Sequence, residues 1–397
     1  MKNRLVKIEG LFGQAVDRIG GQPISARMAR KAPIRHLDPS LLLITVMLAG
    51  FGAMMVFSAT ASKQEAAGLD PGTFVKRQVI YGLVGLAALI GISSFDYRRL
   101  KGLAIVIYGL TLAALVLVLT PLSTPVGGSK RWIDVGSFQA QPSEFAKIAT
   151  ILVVAAYLST RKDGITARDI AITCGIVLLP GALVFLEPDL GTMMVFVALT
   201  AALLLVAGAK LRHFLVLGSM ALVALIVALQ LGLIKDYQID RITAFLDTTP
   251  DPLSEGYNLT QAKLAIARGG LRGTGLHGSV NLTTLDYVPE QHTDFIFTAV
   301  GEQLGFIGAA TMLGLFALLI WRALRIAAMS RDTYGTLIAG GIAALWSFQL
   351  FVNVGMTMGI MPITGIPLPF VSYGGSSMMM NFIAVGLLHS IHMRRFL

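Results

Sequence analysis

A short stretch in the second half of the chain gathers side chains that can exchange protons. Glu290, His292, Thr293 and Asp294 lie within five residues, and Asp294 directly precedes an apolar run over residues 295–320. A carboxylate that is partly desolvated at the edge of a membrane can have a raised pKa and accept a proton near neutral pH. An acid or a threonine at the start of a helix is equally typical of a helix cap. The pattern therefore predicts either a general base or a cap.

Glu144 and Lys147 are two ionisable residues at the start of another apolar run. An acid in the first turn after Pro142 is ordinary helix-start chemistry. Lys147 lies deeper, and an ionisable side chain inside a membrane segment indicates a functional site, with Glu144 or a carboxylate from another helix as its natural partner. The pair is therefore a candidate for catalysis, and a structural ion pair between helices is the alternative.

Asp189 stands in a short polar turn, residues 187–189, between two apolar runs. It could cap the following helix by accepting hydrogen bonds from backbone amides. It could equally join Glu144 and Asp294 in a cluster that holds a divalent cation through carboxylate oxygens. The candidate catalytic residues are thus Asp294, Glu144, Lys147 and Asp189, and the three acids are also the candidate metal ligands.

A further group of residues is suited to binding rather than reaction. Lys130 and Arg131 precede Trp132, and cations of this kind can clamp a diphosphate. Single cations could instead contact lipid headgroups, and the indole could be an ordinary interfacial residue. The irregular stretch 362–377 suits a substrate groove, because such backbone at membrane depth must be buried in protein or line a wet cavity. The predicted substrate-binding residues are Lys130, Arg131, Trp132, Arg241, Lys263, Glu290, His292, Thr293, Ser372, Tyr373 and Ser376.

These residues must be positioned by helices that cross a membrane. The 397 residues are 55% hydrophobic and 14% charged, with a mean hydropathy of +0.72, which excludes a water-soluble domain of this size. Backbone inside a bilayer must bond internally, so spanning segments form helices of roughly 17 to 25 residues. The predicted fold is all-α, a polytopic membrane protein with about ten transmembrane helices. The runs are 41–60, 78–95, 103–120, 142–158, 170–186, 190–208, 214–233, 295–320, 336–358 and 376–391.

The distribution of lysine and arginine predicts the orientation of these spans. Residues 1–37 and alternate connections are rich in both residue types, and the positive-inside rule then places both termini in the cytoplasm. We expect a basic cytoplasmic arm over 1–37 and one transmembrane domain over 38–397. A long extracytoplasmic loop, 235–293, follows the seventh span, with a helix over 256–267 and a tight turn over 269–278.

The basic composition needs no nucleic-acid partner. The net charge of +10 and the pI of about 9.8 arise from cations that mostly mark one face of the membrane domain, so no nucleic acid is expected as a ligand. The single Cys174 rules out an intrachain disulfide and does not indicate a CxxC metal pair or a thiol nucleophile.

Five motifs occur in order along the chain. They are Gly128-Ser-Lys-Arg-Trp-Ile133, Gln141-Pro-Ser-Glu-Phe-Ala-Lys147, Glu187-Pro-Asp-Leu-Gly-Thr192, Pro289-Glu-Gln-His-Thr-Asp-Phe-Ile-Phe297 and Gly365-Ile-Pro-Leu-Pro-Phe-Val-Ser-Tyr-Gly-Gly-Ser-Ser377. Through them the chain resembles the SEDS family (shape, elongation, division and sporulation), the RodA and FtsW type of polymerase, over residues 38–397. Asn353-Val-Gly-Met-Thr357 and the stretch 267–273 look more like the RodA branch.

The resemblance implies an inverting peptidoglycan glycosyltransferase that polymerises lipid II into β-1,4-linked glycan strands for cell elongation and rod shape. The family's essential acid falls on Asp294, with further functional positions at Glu144, Lys147 and Asp189. A divalent cation, Mg²⁺ or Mn²⁺, is an optional cofactor, and no organic cofactor is expected. The implied partners are a class B penicillin-binding protein (a transpeptidase), lipid II and other elongation-complex membrane proteins. The implied location is the bacterial cytoplasmic (inner) membrane.

Other functions compete with this expectation. A lipid II flippase would use Glu144 and Lys147 as part of a polar path, and a scaffold would only anchor a partner. A flippase needs polar residues through the whole membrane depth, whereas the ionisable groups of this chain cluster on the outer side. That asymmetry favours an enzyme, and within the family the division-type (FtsW-like) polymerase is the alternative.

Overall fold

The computed structural model describes residues 37–121, 123–126, 129–136, 138–161, 164–230, 232, 255–276 and 290–395. The basic arm before residue 37 and Arg241 lie outside these ranges. Within them the chain forms eleven α-helices and one small β-sheet. The helices are α1 (Pro39–Ala66), α2 (Thr73–Ser94), α3 (Tyr97–Val118), α4 (Pro142–Leu158), α5 (Ala167–Leu186), α6 (Leu190–Val206), α7 (Leu211–Gln230), α8 (Glu255–Gly269), α9 (Ile296–Ala328), α10 (Thr333–Thr357) and α11 (Gly375–Arg394).

Each of the ten predicted spans corresponds to a helix, which confirms the all-α membrane architecture. Among the described residues, six helices are both long and apolar enough to cross a bilayer, namely α1, α2, α3, α5, α9 and α10. The apolar parts of α6 and α7 are shorter. The additional helix α8 confirms the helix predicted over 256–267 in the long loop.

Polar side chains before several helices fix where those helices begin. Asp38 accepts from the first amides of α1, and Asp332 accepts from the amide of Gly335 at the start of α10. Thr166 and Asp169 form a reciprocal capping box at the start of α5. Each cap satisfies amides that the first turn of a helix leaves without an internal partner. The caps therefore set the ends of these spans.

α9 is interrupted at Gly305, whose φ of 64° and ψ of −162° are not helical. The sequence predicted an unbroken span here, because a glycine inside an apolar run does not mark a break. The loop that follows α8 occupies the interruption. The amides of Thr274 and Gly275 donate to the carbonyls of Glu302 and Gln303, both at 3.0 Å. The backbone groups released by the break are thus satisfied inside the protein, as they must be away from water.

A three-stranded antiparallel sheet between α3 and α4 was not predicted. It consists of β1 (Thr124–Val126), β2 (Ser129–Val135) and β3 (Phe138–Ala140) in the order β1-β2-β3. In the second pair Ile133 faces Ala140 and Val135 faces Phe138. β1 and β3 have three residues each, and the seven residues of β2 do not alternate between polar and apolar types, so the sequence carries no clear strand pattern. The sheet places Arg131 and Trp132 of β2 beside the start of α4.

Buried apolar side chains from most of the helices form one core, to which α4, α9, α10 and α11 contribute the most. α11 packs closely along α2, because a Cβ atom at Gly85 would lie 2.6 Å from the Phe382 ring and one at Gly386 would lie 2.9 Å from the Leu89 carbonyl oxygen. Such small residues let helix backbones approach within a membrane. On the other side, the fully buried Trp346 of α10 donates to Asn381 of α11 at 2.8 Å. The irregular segment 358–374 is anchored on this core.

Candidate active site

A cavity of about 1140 Å³ lies where the outer connections between helices meet. It exceeds the roughly 300–1,000 Å³ typical of small-molecule sites, so it has room for an extended ligand. The wall is built by the sheet, the start of α4, the α5–α6 turn, the turn before α9 and the segment before α11. The predicted site residues in the wall are Arg131, Trp132, Glu144, Asp189, Glu290, His292, Thr293, Asp294 and Tyr373.

Asp294 lies in the wall at the end of a tight turn. The amides of Thr293, Asp294 and Phe295 converge on the carbonyl oxygen of Glu290 at 3.1–3.2 Å, and Glu290 has a positive φ of 51°. The N-cap of α9 is Phe295, without a side-chain cap hydrogen bond, so Asp294 does not occupy the cap position that the sequence left open. The turn presents the Asp294 carboxylate beside the helix start and in the cavity wall.

Two neighbouring residues, Asn353 and Gly365, determine the position of Asp294. The side-chain amide of Asn353 on α10 donates to the Asp294 carbonyl at 2.9 Å and to the Ile366 carbonyl at 2.8 Å. Gly365 has a φ of 70°, and a Cβ atom there would lie 3.2 Å from Oδ2 of Asp294. A side chain at this position would crowd the carboxylate. α10, through Asn353, and the segment between α10 and α11, through Gly365, thus define the position of the acid.

The other members of the turn are linked to each other and to an aromatic cluster. The Thr293 hydroxyl donates to Oε2 of Glu290 at 3.0 Å. The His292 ring lies 5.0 Å from Phe74 and 5.6 Å from Tyr373, centroid to centroid. The amide of Tyr373 donates to the His292 carbonyl at 2.8 Å. Burial raises the pKa of Tyr373, so its phenol stays protonated as a donor.

Ser372 and Ser376 join backbone segments and, as the structure describes them, do not line the cavity. Ser372 donates to the Thr293 carbonyl at 2.6 Å and accepts from the amide of Leu368 at 2.8 Å. Ser376 accepts from the amide of Gln141 at 2.9 Å and donates to a β3 carbonyl. Both hydroxyls are buried. They were predicted to bind substrate, but in this structure they position the turn before α9 and the start of α4.

Glu144 and Lys147 form the predicted pair. Nζ of Lys147 lies 2.6 Å from Oε1 of Glu144, and both side chains are almost completely buried. Glu144 is in the cavity wall, whereas Lys147 is behind it. The second carboxylate oxygen of Glu144 is buried and has no hydrogen-bond partner among the described residues. The lysine therefore holds the acid from behind, and one acid oxygen is left for a ligand.

Asp189 caps α6, as one of the two predicted alternatives required. Its carboxylate accepts from the Thr192 amide at 3.0 Å and from the Thr192 hydroxyl at 2.9 Å. Nη1 of Arg131 lies 3.9 Å from Oδ2 of Asp189. The same guanidinium donates to the carbonyls of Glu187, at 3.0 Å, and Pro188. Arg131 thus connects the sheet to the α5–α6 turn at the cavity wall.

The predicted carboxylate cluster for a cation is not assembled in this structure. Within the described residues, no three His, Cys, Asp or Glu side chains stand in an arrangement that could hold a metal ion. Asp189 uses both oxygens on Thr192, and Glu144 uses one on Lys147. A cation would need more oxygen ligands than these acids, together with Asp294, offer as they stand. We assign no chemical step to a metal.

Glu187 belongs to the cavity wall but was absent from the predicted site residues. It is 1% exposed, and neither carboxyl oxygen has a hydrogen-bond partner within the described part of the chain. Burial, followed by the negative charge of Asp189, raises the pKa of Glu187 to about 8, against an opposing contribution from Arg131. The only sequence signal was its place in the motif that begins at residue 187.

Lys263, another predicted binding residue, does not line the cavity. Lys263 lies on α8 with its side chain against Gly359, where a Cβ atom would overlap its Cε. Lys130 lies on β2, and its side chain is not among those described. Arg241 is outside the described residues. The described part of the long loop instead supports α9, since Leu259 and Ala262 of α8 pack with Phe295 and Ile363.

Comparison with protein families matches residues 39–396 to the FtsW/RodA/SpoVE family, described as cell cycle protein. Stage V sporulation protein E of Bacillus subtilis (strain 168) is 39% identical, covering 89% of this chain and 96% of its own length. The probable peptidoglycan glycosyltransferase FtsW of Trichlorobacter lovleyi is 38% identical, covering 90% and 93%. The peptidoglycan glycosyltransferase MrdB of Escherichia coli (strain K12) is 37% identical, covering 91% and 94%. These identities are too close together to assign a branch.

Comparison with solved structures finds the same fold. A chain from a peptidoglycan synthase complex, solved to explain how polymerization and crosslinking are coordinated, superposes with a TM-score of 0.77 at 30% identity. The match covers 91% of this chain and 98% of that chain. The similarity therefore extends over nearly the whole membrane domain.

Proposed function

The chain belongs to the FtsW/RodA/SpoVE family of cell cycle proteins, and from this premise we propose that it is a peptidoglycan glycosyltransferase that polymerises lipid II into β-1,4-linked glycan strands. One observation carries the proposal. Five motifs that are distant in sequence meet in the wall of one cavity of about 1140 Å³, at the ends of membrane helices. A site there can hold a sugar donor while its lipid carrier stays in the bilayer.

Asp294 is the proposed general base. The acceptor's 4-hydroxyl oxygen attacks the anomeric carbon of the donor sugar, and its proton passes to the Asp294 carboxylate. The bond between that carbon and the diphosphate breaks on the opposite face, and the lipid diphosphate leaves. A single displacement converts the α-linked donor into a β-1,4 bond. The fixed turn around Asp294 supports this role, because a base must be held within hydrogen-bond reach of the proton that it removes.

The departing diphosphate needs positive charge near the reaction. Among the described residues in the cavity wall, Arg131 is the one with a permanent cation. Its guanidinium is held by two carbonyls of the α5–α6 turn, so it is oriented before a substrate arrives. Lys147 does not reach the cavity and acts through Glu144 as a positioning residue. Arg131 is therefore the proposed stabiliser of the leaving group.

We place the chain in the elongation branch of the family. The resemblance of 353–357 and 267–273 to RodA supports this assignment, and Asn353 of the first stretch also holds Asp294. The proposed partner is a class B penicillin-binding protein, supported by the similarity to a chain of a peptidoglycan synthase complex. Other elongation-complex membrane proteins would join them. The proposed location is the bacterial cytoplasmic membrane, with both termini in the cytoplasm.

The test is polymerisation of labelled lipid II by the purified protein, with and without the transpeptidase partner and with Mg²⁺, Mn²⁺ or a chelator. We expect glycan strands on a gel, and we expect Asp294→Asn to lower their yield at least a hundredfold, in the range by which a general base contributes. Asp70→Asn is the matched control, because Asp70 lies in the exposed α1–α2 turn, where its carboxylate pairs with Lys76 and accepts from the Gly72 amide.

The outcomes separate the competing functions. A flippase would move labelled lipid II across vesicle membranes without making strands, and a scaffold would do neither. Wild-type rates from a correctly inserted Asp294→Asn variant would remove the base from the mechanism. The branch is tested separately, by asking whether the chain restores rod shape to cells that lack their elongation polymerase or septation to cells that lack their division polymerase.

A further inference from the structure

A second pocket lies at the end of the helix bundle remote from the catalytic cavity. α11 begins at Gly375 in the cavity wall and ends at Arg394 beside this second pocket. Its twenty residues span about 30 Å at 1.5 Å per residue, so the two sites are separate. The second pocket measures about 190 Å³ and is lined by Leu37, Asp38, Pro39, Arg322, Arg325, Met329, His392 and Arg395.

The pocket carries an excess of positive charge. Three guanidinium groups, those of Arg322, Arg325 and Arg395, line it together with one carboxylate, that of Asp38. Asp38 is already engaged, since it caps α1 and forms an ion pair with Arg322. Nε of Arg322 is buried and has no hydrogen-bond partner among the described residues. A buried donor of this kind is costly unless a ligand or water satisfies it.

An apolar surface adjoins the basic pocket. Trp321 and Leu324 on the same stretch of α9 are 52% and 51% exposed. The guanidinium carbons of Arg322 and Arg325 lie 5.7 and 5.4 Å from the Trp321 ring centroid. Tryptophan is typical of the level where headgroups meet acyl chains. Along α9 the two arginines follow the indole toward the end of the helix, and Leu318, which is 48% exposed, precedes it by about one turn. This order of apolar, aromatic and cationic side chains matches the profile of a phospholipid.

We propose that this pocket binds the phosphate headgroup of an anionic phospholipid, whose acyl chains lie along the exposed face of α9. Guanidinium forks match phosphate oxygens in geometry and charge. A pocket of 190 Å³ holds a phosphate and the first atoms of its glycerol, and it is far smaller than the catalytic cavity. In the orientation proposed above, the pocket faces the inner leaflet, so its occupant is a structural lipid and not the donor substrate.

The test measures lipid retention by native mass spectrometry. The full chain, purified in detergent, is mixed with equal amounts of phosphatidylglycerol and phosphatidylcholine. We expect the wild type to retain phosphatidylglycerol preferentially. Arg325→Gln with Arg395→Gln should lower that retention about tenfold. The control, Lys210→Gln with Arg212→Gln, removes two exposed cations just before and within the first turn of α7 and should leave retention unchanged.

Two results would overturn the proposal. An equal loss in the control pair would mean that phosphatidylglycerol follows the general positive charge of this face. Displacement of the lipid by equimolar inorganic phosphate would mean that the pocket takes a free anion and not a lipid. If the double variant does not fold, Arg325→Gln alone serves, since Arg325 is exposed. Because the experiment measures lipid retention and not polymerisation, its result is independent of whether the proposed function is correct.

Discussion

At the scale of single residues, the buried pair on α4 has one member, Glu144, in the cavity wall and the other, Lys147, behind it. Lys147 is 1% exposed and touches the cavity only through Glu144, to which it lies at 2.6 Å. An ion pair this deep is costly to desolvate, so its net effect on stability is small, while the loss of one partner leaves an uncompensated buried charge. The pair therefore behaves as a unit that fixes the Glu144 carboxylate at the wall.

This coupling gives a prediction about stability. Lys147→Met should destabilise the protein by about 3–5 kcal/mol, because the Glu144 carboxylate loses its buried partner. The double variant, Lys147→Met with Glu144→Gln, should lose much less stability, since neither buried charge remains. Thermal unfolding of the wild type, Lys147→Met, Glu144→Gln and the double variant in one detergent completes the double-mutant cycle. Strictly additive losses would mean that the two side chains do not interact in the folded state.

The buried Glu187 carboxyl makes stability depend on pH. Its pKa is raised from 4.5 to about 8 in the folded state, so between these values the folded protein keeps a proton that the unfolded chain releases. The stability that this group contributes is complete below pH 4.5, falls as the pH rises, and is lost above about pH 8. At about 1.4 kcal/mol per unit of pKa, the effect is on the order of a few kcal/mol.

Glu187→Gln should therefore flatten the decline in melting temperature between pH 5 and pH 8. Relative to the wild type, the melting temperature of the variant should rise most near pH 8. Melting curves at three pH values measure the effect, and Glu65→Gln, at an exposed position on α1, is the control. A variant whose melting temperature keeps the wild-type slope would show that Glu187 does not hold the extra proton.

The sequence was informative about which residues matter at this scale and less so about what each one touches. Glu144 and Lys147 could be paired from their spacing alone, since neighbours on a helix turn meet. Ser372 and Ser376 could not be assigned, because the carbonyl to which Ser372 donates is 79 positions away and the partners of Ser376 are 235 and 237 positions away. Glu187 was missed because its raised pKa depends on burial, which a motif does not reveal.

At the scale of elements, the interrupted helix α9 depends on glycines in a different element. A Cβ atom at Gly273 would lie 2.1 Å from the Gln303 carbonyl oxygen, and one at Gly269 would lie 1.9 Å from that of Gly301. Both clashes are with backbone atoms, which cannot relieve them by rotating as a side chain could. The glycine-rich stretch after α8, which the sequence indicated only as a turn, is thus the partner of the break at Gly305.

Gly273→Ala should therefore lower both the melting temperature and the polymerisation rate. Its φ of 81° already disfavours any other residue, and the shift it forces on residues 301–305 would reach Asp294 through the first turns of α9. Gly314→Ala is the control, since nothing lies within 4 Å of a Cβ atom there and alanine favours a helix by about 1 kcal/mol. Equal behaviour of the two variants would contradict the role given to the loop.

The ten spans and the helix in the long loop were predictable because apolar length and periodicity are local properties. The break in α9 and the small sheet were not, since each depends on contacts with distant segments. Gly305 resembles any other glycine of an apolar run until the loop at 269–275 is placed against it. Elements that bend to fit a partner are therefore the ones that sequence patterns describe least well.

At the scale of the whole molecule, the cavity and the charge pattern together predict how the chain is oriented in the membrane. The wall segments come from the connections α3–α4, α5–α6, α7–α9 and α10–α11. These are alternate connections of a chain that crosses the membrane at each span, so they share one side. The positive-inside rule predicts that this side is external, and the proposed strand assembly requires a site there.

This orientation can be measured with single cysteines. Cys174→Ala removes the natural thiol, after which Asp70→Cys marks the α1–α2 turn and Arg212→Cys marks the first turn of α7, both at exposed positions. In intact spheroplasts a membrane-impermeant maleimide should label position 70 fully and position 212 only after permeabilisation, because a charged reagent does not cross the bilayer core. The reverse pattern would put the Asp294 turn on the cytoplasmic side, where the proposed base could not act on growing strands. Labelling of both positions without permeabilisation would mean that the helices between them do not alternate as the fold requires.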